Sequence, residues 1–296
     1  MPNLNEGIIQ SFYVDLPPLK EQSRIADSLG AIDDRIELNC RLMETLEAVA
    51  RALFKSWFVD FDPVHARAEG LSTGLTDAIA ALFPDSFGDD GLPTGWGIST
   101  VGSLYGVSGG NTPPTGTPEY WGGPHRWASP KDLSALASPV LNRTARQLTD
   151  AGLALSASGL LPVGSLLLSS RAPIGYTAFV TAPTAINQGF AGITRRSAST
   201  SYAWAWCREH MDVIRANAGG STFPEISKSV FRGLPMLEPS EPVLGAFACI
   251  ADSLINRIIG AVQEKDTLVA LRDTLLPKLI SGELRIADAE RQIVAA

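Results

Sequence analysis

The residue types that most often carry out chemistry are few in this chain and lie far apart. The three histidines and three cysteines lack the short spacings of a metal site; they are His65, His125, His210, Cys40, Cys207 and Cys249. An odd, scattered set of cysteines is typical of reduced thiols and not of a disulfide framework. These residues therefore predict no metal centre.

Pairs of glycines are the next candidates, because glycine-rich turns can bind phosphate groups. They occur at 109–110, 122–123 and 219–220, but none opens a helix within a βαβ pattern. We interpret them as turn glycines, with phosphate binding as the alternative. The chain has no Gly-x-x-x-x-Gly-Lys-Ser/Thr loop for nucleoside triphosphates. It also has no Asn/Asp-Pro-Pro-Tyr/Phe cluster of the amino-methyltransferase type, which residues 61–64 resemble only distantly. The sequence thus predicts that the chain alone catalyses no reaction.

Charge is distributed unevenly along the chain. The net charge is −7, yet residues 92–240 hold 11 Lys and Arg against 7 Asp and Glu. Residues 1–91 hold 7 against 16, and residues 241–296 hold 6 against 8. A mildly basic middle inside an acidic frame permits nucleic-acid binding by the middle without establishing it.

Composition indicates a soluble globular protein. The chain of 296 residues is 45% hydrophobic and 19% charged, which is typical of folded domains. No uninterrupted apolar run reaches the roughly 18 residues of a membrane span, and residues 1–5 do not resemble a signal peptide. We therefore expect a cytoplasmic protein without a membrane partner.

A helical signature occurs twice and predicts the elements that frame the middle. Ile-Ala-Asp-Ser-Leu stands at 25–29 and again at 250–254, each time after a proline turn. From residue 25, alternating steps of four and three predict one helix over 19–58 with a coiled-coil seam. The seam residues are Ile25, Leu29, Ile32, Ile36, Asn39, Met43, Leu46, Ala50, Leu53 and Trp57.

The second copy predicts a partner for the first. Its apolar stripe is less regular, and Pro277 should kink or end the helix shortly before Ser281-Gly282. The stripe comprises Leu254, Ile258, Ala261, Leu268, Leu271, Leu275 and Leu279. We expect the two helices to pair antiparallel; the alternative is that each packs on its own local domain. Asn39 either fixes the register of the seam or is a water-exposed position.

Between the helices, composition shifts to Gly, Pro, Ser and Thr at residue 92. Residues 163–170 and 174–180 predict strands around Pro173, and residues 203–217 predict a helix. A short helical piece is expected over 76–83. Such a loop-rich domain is suited to displaying binding residues on loops.

The motifs of this middle segment resemble a known family. They occur in the order Leu92-Pro-Thr-Gly-Trp96, Gly109-Gly-Asn-Thr-Pro113, Tyr120-Trp-Gly-Gly123, Trp127 with Ser129-Pro-Lys-Asp-Leu133, Ser169-Ser-Arg-Ala-Pro-Ile-Gly175, Asn187-Gln-Gly189 and Gly219-Gly-Ser-Thr-Phe223. Together they resemble the target recognition domain of specificity (S) subunits of type I restriction–modification systems. The long helices resemble that family's spacer regions, and residues 61–64 and 82–87 resemble its linker.

This resemblance implies an α+β fold: one mixed α/β target recognition domain flanked by two long helices forming an antiparallel coiled coil. A complete S subunit resembles two such domains and two helices, so this sequence resembles a half-length form, either natural or truncated. The implied divisions are a remnant of a preceding domain at 1–18, spacer helix 19–58, linker 59–91, recognition domain 92–239, spacer helix 240–282 and C-terminal tail 283–296.

The implied function is non-catalytic. The chain would read a half-site of double-stranded DNA, mainly in the major groove, and dock methyltransferase (M) and restriction/translocase (R) subunits. The chain itself would hold no cofactor, since S-adenosylmethionine for adenine methylation, and ATP and Mg, would serve the partners. A second S chain is a further partner on one interpretation. The alternatives are a truncated adaptor or decoy for methyltransferase subunits without specific DNA reading, and a detached piece of a fused enzyme.

The resemblance also suggests which side chains contact DNA. Arg and Lys favour phosphates and guanine edges, and Asn and Gln favour adenine edges. Ser and Thr can contact either base. The candidates are Asn111, Thr112, Arg126, Lys131, Arg171, Gln188, Ser221, Thr222 and Lys228. Each has a structural alternative, such as building a turn, bracing a loop or pairing with a neighbour. Trp121 and Trp127 are interpreted as core residues and not as stacking surfaces for bases.

Overall fold

The structure is a computed structural model that describes residues 5–12, 17–220, 222 and 224–295. It is a mixed α/β protein with two helices of 40 residues each. The described helices are α1 Glu6–Gln10, α2 Leu19–Phe58, α3 Asp62–Ala68, α4 Asp77–Ala80, α5 Val101–Leu104, α6 Pro130–Ser134, α7 Asp150–Ala154, α8 Thr200–Glu209, α9 Met211–Ala216, α10 Lys228–Gly233, α11 Glu241–Ile280 and α12 Ile286–Ala295.

The described strands form three small sheets. The strands are β1 Gly97–Thr100, β2 Tyr105–Gly109, β3 Trp121–Ala128, β4 Val140–Leu141, β5 Arg146–Leu148, β6 Leu166–Ser169, β7 Thr177–Val180, β8 Thr184–Ile186, β9 Phe190–Arg195 and β10 Pro235–Glu238. The orders are β2-β9-β6-β7-β4, β5-β3-β8 and β1-β10. Pairing is antiparallel except for β4 with β7 and β3 with β8.

The strand β6 lies at the centre of the largest sheet and is buried in the core. Its residues 166–169 are an unbroken apolar run ending in serine, and all four are buried. Leu167 joins one apolar cluster with Ala128, Leu133, Leu141, Leu161, Ala178, Val180, Ile186 and Phe190. A central strand covered on both faces is expected to be continuously apolar.

The chain divides into two compact units, residues 1–42 with 261–296, and residues 43–260. These divisions fall inside α2 and α11. The functional division into recognition domain, linker and spacer helices therefore stays a prediction. All ten expected seam residues of α2 are buried or half-buried.

In the first unit, residues of α2 pack against α11 and α12. The shared apolar cluster consists of Ile32, Leu268, Leu275, Leu279, Ile286 and Ala289. Arg35 Nε lies 2.7 Å from Glu264 Oε1, and Arg272 Nη1 lies 2.9 Å from Asp33 Oδ1. The hydrogen bond from Arg35 lowers the pKa of Glu264.

Asn39 is a buried polar residue in this unit. It is 3% exposed, so it is not a water-exposed position. Its Nδ2 forms no hydrogen bond of full geometry among the described residues, although the amide lies close enough to Glu264 to lower the pKa of that carboxylate. A buried amide without a partner costs stability, which is the cost expected of a polar residue that fixes helix register.

In the second unit, aromatic side chains at the end of α2 form a cluster with α8 and α11. Phe58 contacts Tyr202 and Phe247 with ring centroids 5.0 and 5.1 Å apart. Trp57 lies edge-on to Phe83 at 4.9 Å. Large aromatic groups contribute much of the apolar area buried in a core, so this cluster is a principal core of the unit.

Several elements differ from the expectation. The single helix expected over 203–217 is two helices, α8 and α9, because the helix is interrupted at His210. The His210 ring stacks on Trp206 with ring centroids 5.0 Å apart. The segment expected to be a tail contains α12. Pro277 lies inside α11, which ends before Ser281 and Gly282 as expected.

The helix α11 is long and apolar enough to cross a membrane by length and composition alone, and it is the one described helix that is. This is weak evidence, because core helices of soluble proteins share these properties. Val243, Phe247, Ala251 and Ile255 are buried within the second unit. Core packing thus accounts for the apolar character of this part of the helix.

Candidate nucleic-acid interface

Lys228 connects three separate parts of the chain. Its Nζ donates to the backbone oxygen of Gln188 at 2.7 Å and to Ser170 Oγ at 3.2 Å. The ammonium also lies 3.4 Å from Glu225 Oε1. Lys228 begins α10, and Ser227 caps this helix by accepting from the Val230 amide. The helix start therefore fixes the backbone from which the lysine reaches the loops.

Arg171 joins the same group of residues through Glu225. Its Nη1 lies 3.3 Å from Glu225 Oε2, and the two residues also form an antiparallel backbone bridge. A second bridge pairs Gly219 with Glu225 and closes the loop that carries Thr222. Thr222 is exposed, whereas Ser221 lies outside the described residues.

Thr112 and Gln188 are in direct contact. The Thr112 hydroxyl donates to Gln188 Oε1 at 2.7 Å, while the backbone oxygen of Gln188 accepts from Lys228. The structure therefore brings four of the nine candidates, separated by up to 116 positions in their numbering, into one polar network. We call Thr112, Ser170, Arg171, Gln188, Glu225 and Lys228 the Lys228 network.

Asn111 forms hydrogen bonds to a neighbouring loop, whereas its structural alternative was to build a turn. Its Nδ2 donates to Leu155 O at 2.8 Å, and its Oδ1 accepts from the Ala157 amide at 2.7 Å. The Trp127 indole also donates to the backbone oxygen of Asn111 at 3.2 Å. Both ends of the amide are occupied, so the residue fixes the loop after α7.

Arg126 and Lys131 lie outside the Lys228 network. Arg126 is on β3 and donates to Thr181 Oγ1 at 3.0 Å. Lys131 is exposed and does not pair with Asp132. That carboxylate instead accepts from the backbone and hydroxyl of Ser129 and from the Ala145 amide. Lys131 is thus an exposed cation without an ion pair in the described part of the chain.

Arg146 is a cation that the sequence did not single out. Its guanidinium carbon lies 3.3 Å from the centroid of the Trp121 ring, a geometry that favours cation–π attraction. Trp127 is 5% exposed and Trp121 is half-buried. One face of Trp121 is therefore covered by Arg146. No short-range pattern in the sequence links residues 25 positions apart in this way.

The paired glycines allow close backbone packing. A Cβ at Gly110 would lie 1.7 Å from Ile186 O, and one at Gly123 would lie 2.5 Å from Leu148 O. Gly122 and Gly220 have φ of 84° and 93°, the left-handed region that glycine adopts readily. Packing and turn geometry account for these glycines without a phosphate ligand.

The histidines have separate surroundings. His125 Nε2 lies 2.7 Å from Asp150 Oδ1, and His65 packs on the Phe87 ring. Within the described ranges, no group of three or more His, Cys, Asp or Glu is arranged to hold a metal ion. Burial raises the pKa of the Cys207 thiol to about 12, which keeps that thiol protonated.

An open apolar pocket adjoins the Lys228 network. It has a volume of about 730 Å³ and is lined by Arg171, Ala172, Pro173, Ile174, Arg215 and Pro224. Ala172 has φ of 55°, which is uncommon for a residue with a side chain. The pocket thus combines an apolar floor with two arginines.

The fold and these loops belong to a recognisable family. The model of the type I restriction modification DNA specificity domain matches residues 1–48 and 93–240. The chain therefore belongs to this family, as its motifs suggested. Membership in a family of specificity components also confirms the prediction that the chain is not itself an enzyme.

Individual relatives agree with this assignment. The HindI type I restriction enzyme specificity subunit of Haemophilus influenzae is 25% identical over 96% of this chain and 71% of its own length. The MjaIX specificity subunit of Methanocaldococcus jannaschii is 34% identical over 50% of this chain and 35% of its own length. The solved type I restriction-modification S subunit from M. genitalium has the same fold, with a TM-score of 0.58 and 15% identity, over 88% of this chain and 61% of that chain.

Proposed function

We propose that this chain reads a DNA half-site as the specificity subunit of a type I restriction–modification complex. The single observation that carries the proposal is the Lys228 network, in which polar and cationic side chains from four loops meet in a family of DNA specificity domains. The network combines cations suited to phosphates or guanine edges with an amide and a hydroxyl suited to other bases. We expect it to face the major groove.

The long helices are proposed to serve as a spacer and as a dock for methyltransferase subunits. Support comes from the regular seam of α2 and from the ion pairs of Arg35 with Glu264 and Asp33 with Arg272. From the first pair to the second, the residue number rises on α2 from 33 to 35 and falls on α11 from 272 to 264. This is the order expected of antiparallel helices. An antiparallel coiled coil of this kind would set a fixed distance between two DNA half-sites. The partners would use S-adenosylmethionine, ATP and Mg, and the complex would act in the cytoplasm.

The test is a gel shift with a co-expressed methyltransferase subunit, repeated over a range of salt concentrations. The logarithm of affinity should fall linearly with the logarithm of salt concentration, and each lost phosphate contact should reduce the slope by about 0.9. Lys228→Gln should reduce the slope in this way if the lysine contacts phosphate. If it contacts a base, it should instead cost about 1–3 kcal/mol and relax specificity at one position.

Lys20→Gln is the matched control, because it removes one positive charge from an exposed position on α2. It should leave both slope and specificity unchanged. Equal effects of the two substitutions would contradict the assignment of the network. Wild-type binding without sequence preference would contradict the proposed function.

A second candidate function is an adaptor that holds methyltransferase subunits without reading DNA. One observation favours it: both amide atoms of Asn111 are occupied within the chain. An adaptor would co-purify with the methyltransferase subunit but would enrich no sequence from a pool of random duplexes. The gel shift and the co-purification together therefore separate the two functions.

A further inference from the structure

One carboxylate in the Lys228 network is shared by two cations. Glu225 Oε2 lies 3.3 Å from Arg171 Nη1, and Glu225 Oε1 lies 3.4 Å from Lys228 Nζ. We propose that Glu225 is a positioning residue that holds Arg171 and Lys228 together, leaves Arg171 free to contact a base and hinders the movement of both cations to phosphates. The inference rests on the proposed function and adds a means of rejecting DNA of the wrong sequence.

Hydrogen bonds fix the backbone from which this carboxylate extends. The Glu225 amide donates to Gly219 O at 2.9 Å, and the Gly219 amide donates to Glu225 O at 3.0 Å. The next residue, Ile226, donates to Ser170 O at 3.0 Å. Glu225 is therefore held on both sides, and the cations can leave it more easily than it can follow them.

Arg171 keeps donors free while it is paired, whereas the three donors of Lys228 are directed to Ser170, Gln188 and Glu225. A guanidinium has five N–H donors and an ammonium has three. The Arg171 pair involves Nη1, and Lys228 directs its other contacts to Ser170 and Gln188. Arg171 can thus approach a base edge without breaking its pair with Glu225.

Movement to a phosphate has a different consequence. It would separate the cations from Glu225 and leave an unpaired carboxylate beside the negatively charged DNA backbone. Non-specific binding consists almost entirely of phosphate contacts. The cost of leaving Glu225 unpaired should therefore weaken non-specific binding more than binding in which the cations contact bases.

The exposure of the three side chains indicates the size of the effect. Arg171, Glu225 and Lys228 are 38%, 35% and 21% exposed, so solvent screens both pairs. Pairs of this kind change an equilibrium by roughly 1.5- to 5-fold each. Removing the carboxylate should therefore tighten binding to random DNA roughly 2- to 30-fold.

The experiment compares Glu225→Gln with Glu119→Gln, which removes the same charge from an exposed side chain without an ion pair in the described residues. Each variant is bound, with the co-expressed methyltransferase subunit, to a pool of random duplexes over a range of salt concentrations. Glu225→Gln should bind tighter, with a slope steeper by up to about 1.8 for two new phosphate contacts. It should also select a less defined sequence from the pool.

Retention on heparin provides a readout that does not depend on sequence reading. Glu225→Gln should elute at higher salt than Glu119→Gln, even if the wild-type chain selects no DNA sequence. That combination would contradict the proposed function while supporting the charge restraint. Equal elution of the two variants would overturn the inference whatever the DNA result.

A structural role alone predicts a different pattern. It would weaken binding to random DNA and lower thermal stability, and either weaker binding or an unchanged salt slope would overturn the inference. Glu225→Asp covers the case in which the glutamine variant fails to fold. It keeps the charge but shortens its reach. Its affinity for random DNA should therefore lie between that of the wild type and that of Glu225→Gln, after the effect of Glu119→Gln is subtracted. An affinity no higher than that of the wild type would refute the proposal.

Discussion

The buried amide of Asn39 allows a quantitative test of what the helix pairing costs. Asn39 is 3% exposed, and its Nδ2 forms no hydrogen bond of full geometry in the part of the chain that the structure describes. A buried polar group without a partner costs about 1–3 kcal/mol. Asn39→Leu replaces that group with an apolar side chain of the same branching, so we expect the free energy of unfolding to rise by about 1–3 kcal/mol.

Thermal and urea unfolding, followed by circular dichroism, measure this change. For a chain of this size the gain corresponds to a melting temperature higher by about 2–5 °C. Asn39→Asp is the control, because it keeps the shape but introduces a negative charge near Glu264, a carboxylate whose pKa the Arg35 and Asn39 side chains lower. It should destabilise the protein.

The same substitution separates the roles of helix and recognition loops. If Asn39 fixes register, Asn39→Leu should change helix pairing or oligomeric state, measured by light scattering, and leave DNA preference unchanged. A less stable Asn39→Leu protein would refute the argument about the unpaired amide. An altered DNA preference would refute the division of labour between helices and loops.

Two further predictions use adjacent or matched residues. Leu275→Ala removes a side chain that is 1% exposed and should cost about 2–5 kcal/mol in urea unfolding, whereas Leu276→Ala, at 40% exposure, should cost less than about 0.5 kcal/mol; similar losses would contradict the assigned core. Gly110→Ala places a Cβ 1.7 Å from Ile186 O and should abolish soluble folded protein. Gly116→Ala is the control and should be tolerated, because a Cβ there meets nothing within 4 Å. Normal expression and melting of the Gly110 variant would show that the two backbones are not packed as described.

Periodic features of the fold could be predicted from the sequence. The helix expected over residues 19–58 is present as α2 with those bounds, because a seam repeated over ten positions outweighs local propensity. The break at His210 was missed because it accompanies ring stacking on Trp206. The helix α12 was missed because Ile286 and Ala289 pack against residues of other helices, which no local pattern records.

Residue type suggested candidate DNA-contacting residues, which remain a prediction, but it did not indicate which of them contact one another. Residue chemistry identified Lys228 and Gln188, yet their hydrogen bond uses a backbone oxygen 40 positions away. Such contacts depend on how the loops are brought together by the sheet, and single-sequence patterns do not encode that arrangement. For the same reason the sequence did not single out Glu225 as the partner of two cations.

The pairing of β1 with β10 has a consequence for how such a chain can change. These strands lie at the start and end of the segment that we propose recognises DNA, with Gly97 opposite Glu238 and Thr100 opposite Pro235. Paired strands are about 5 Å apart, so the chain enters and leaves this segment at neighbouring points. A foreign segment bounded by a similar pair of strands could replace residues 101–234 as one cassette. New specificity could thus arise by recombination at two adjacent junctions, with both long helices retained.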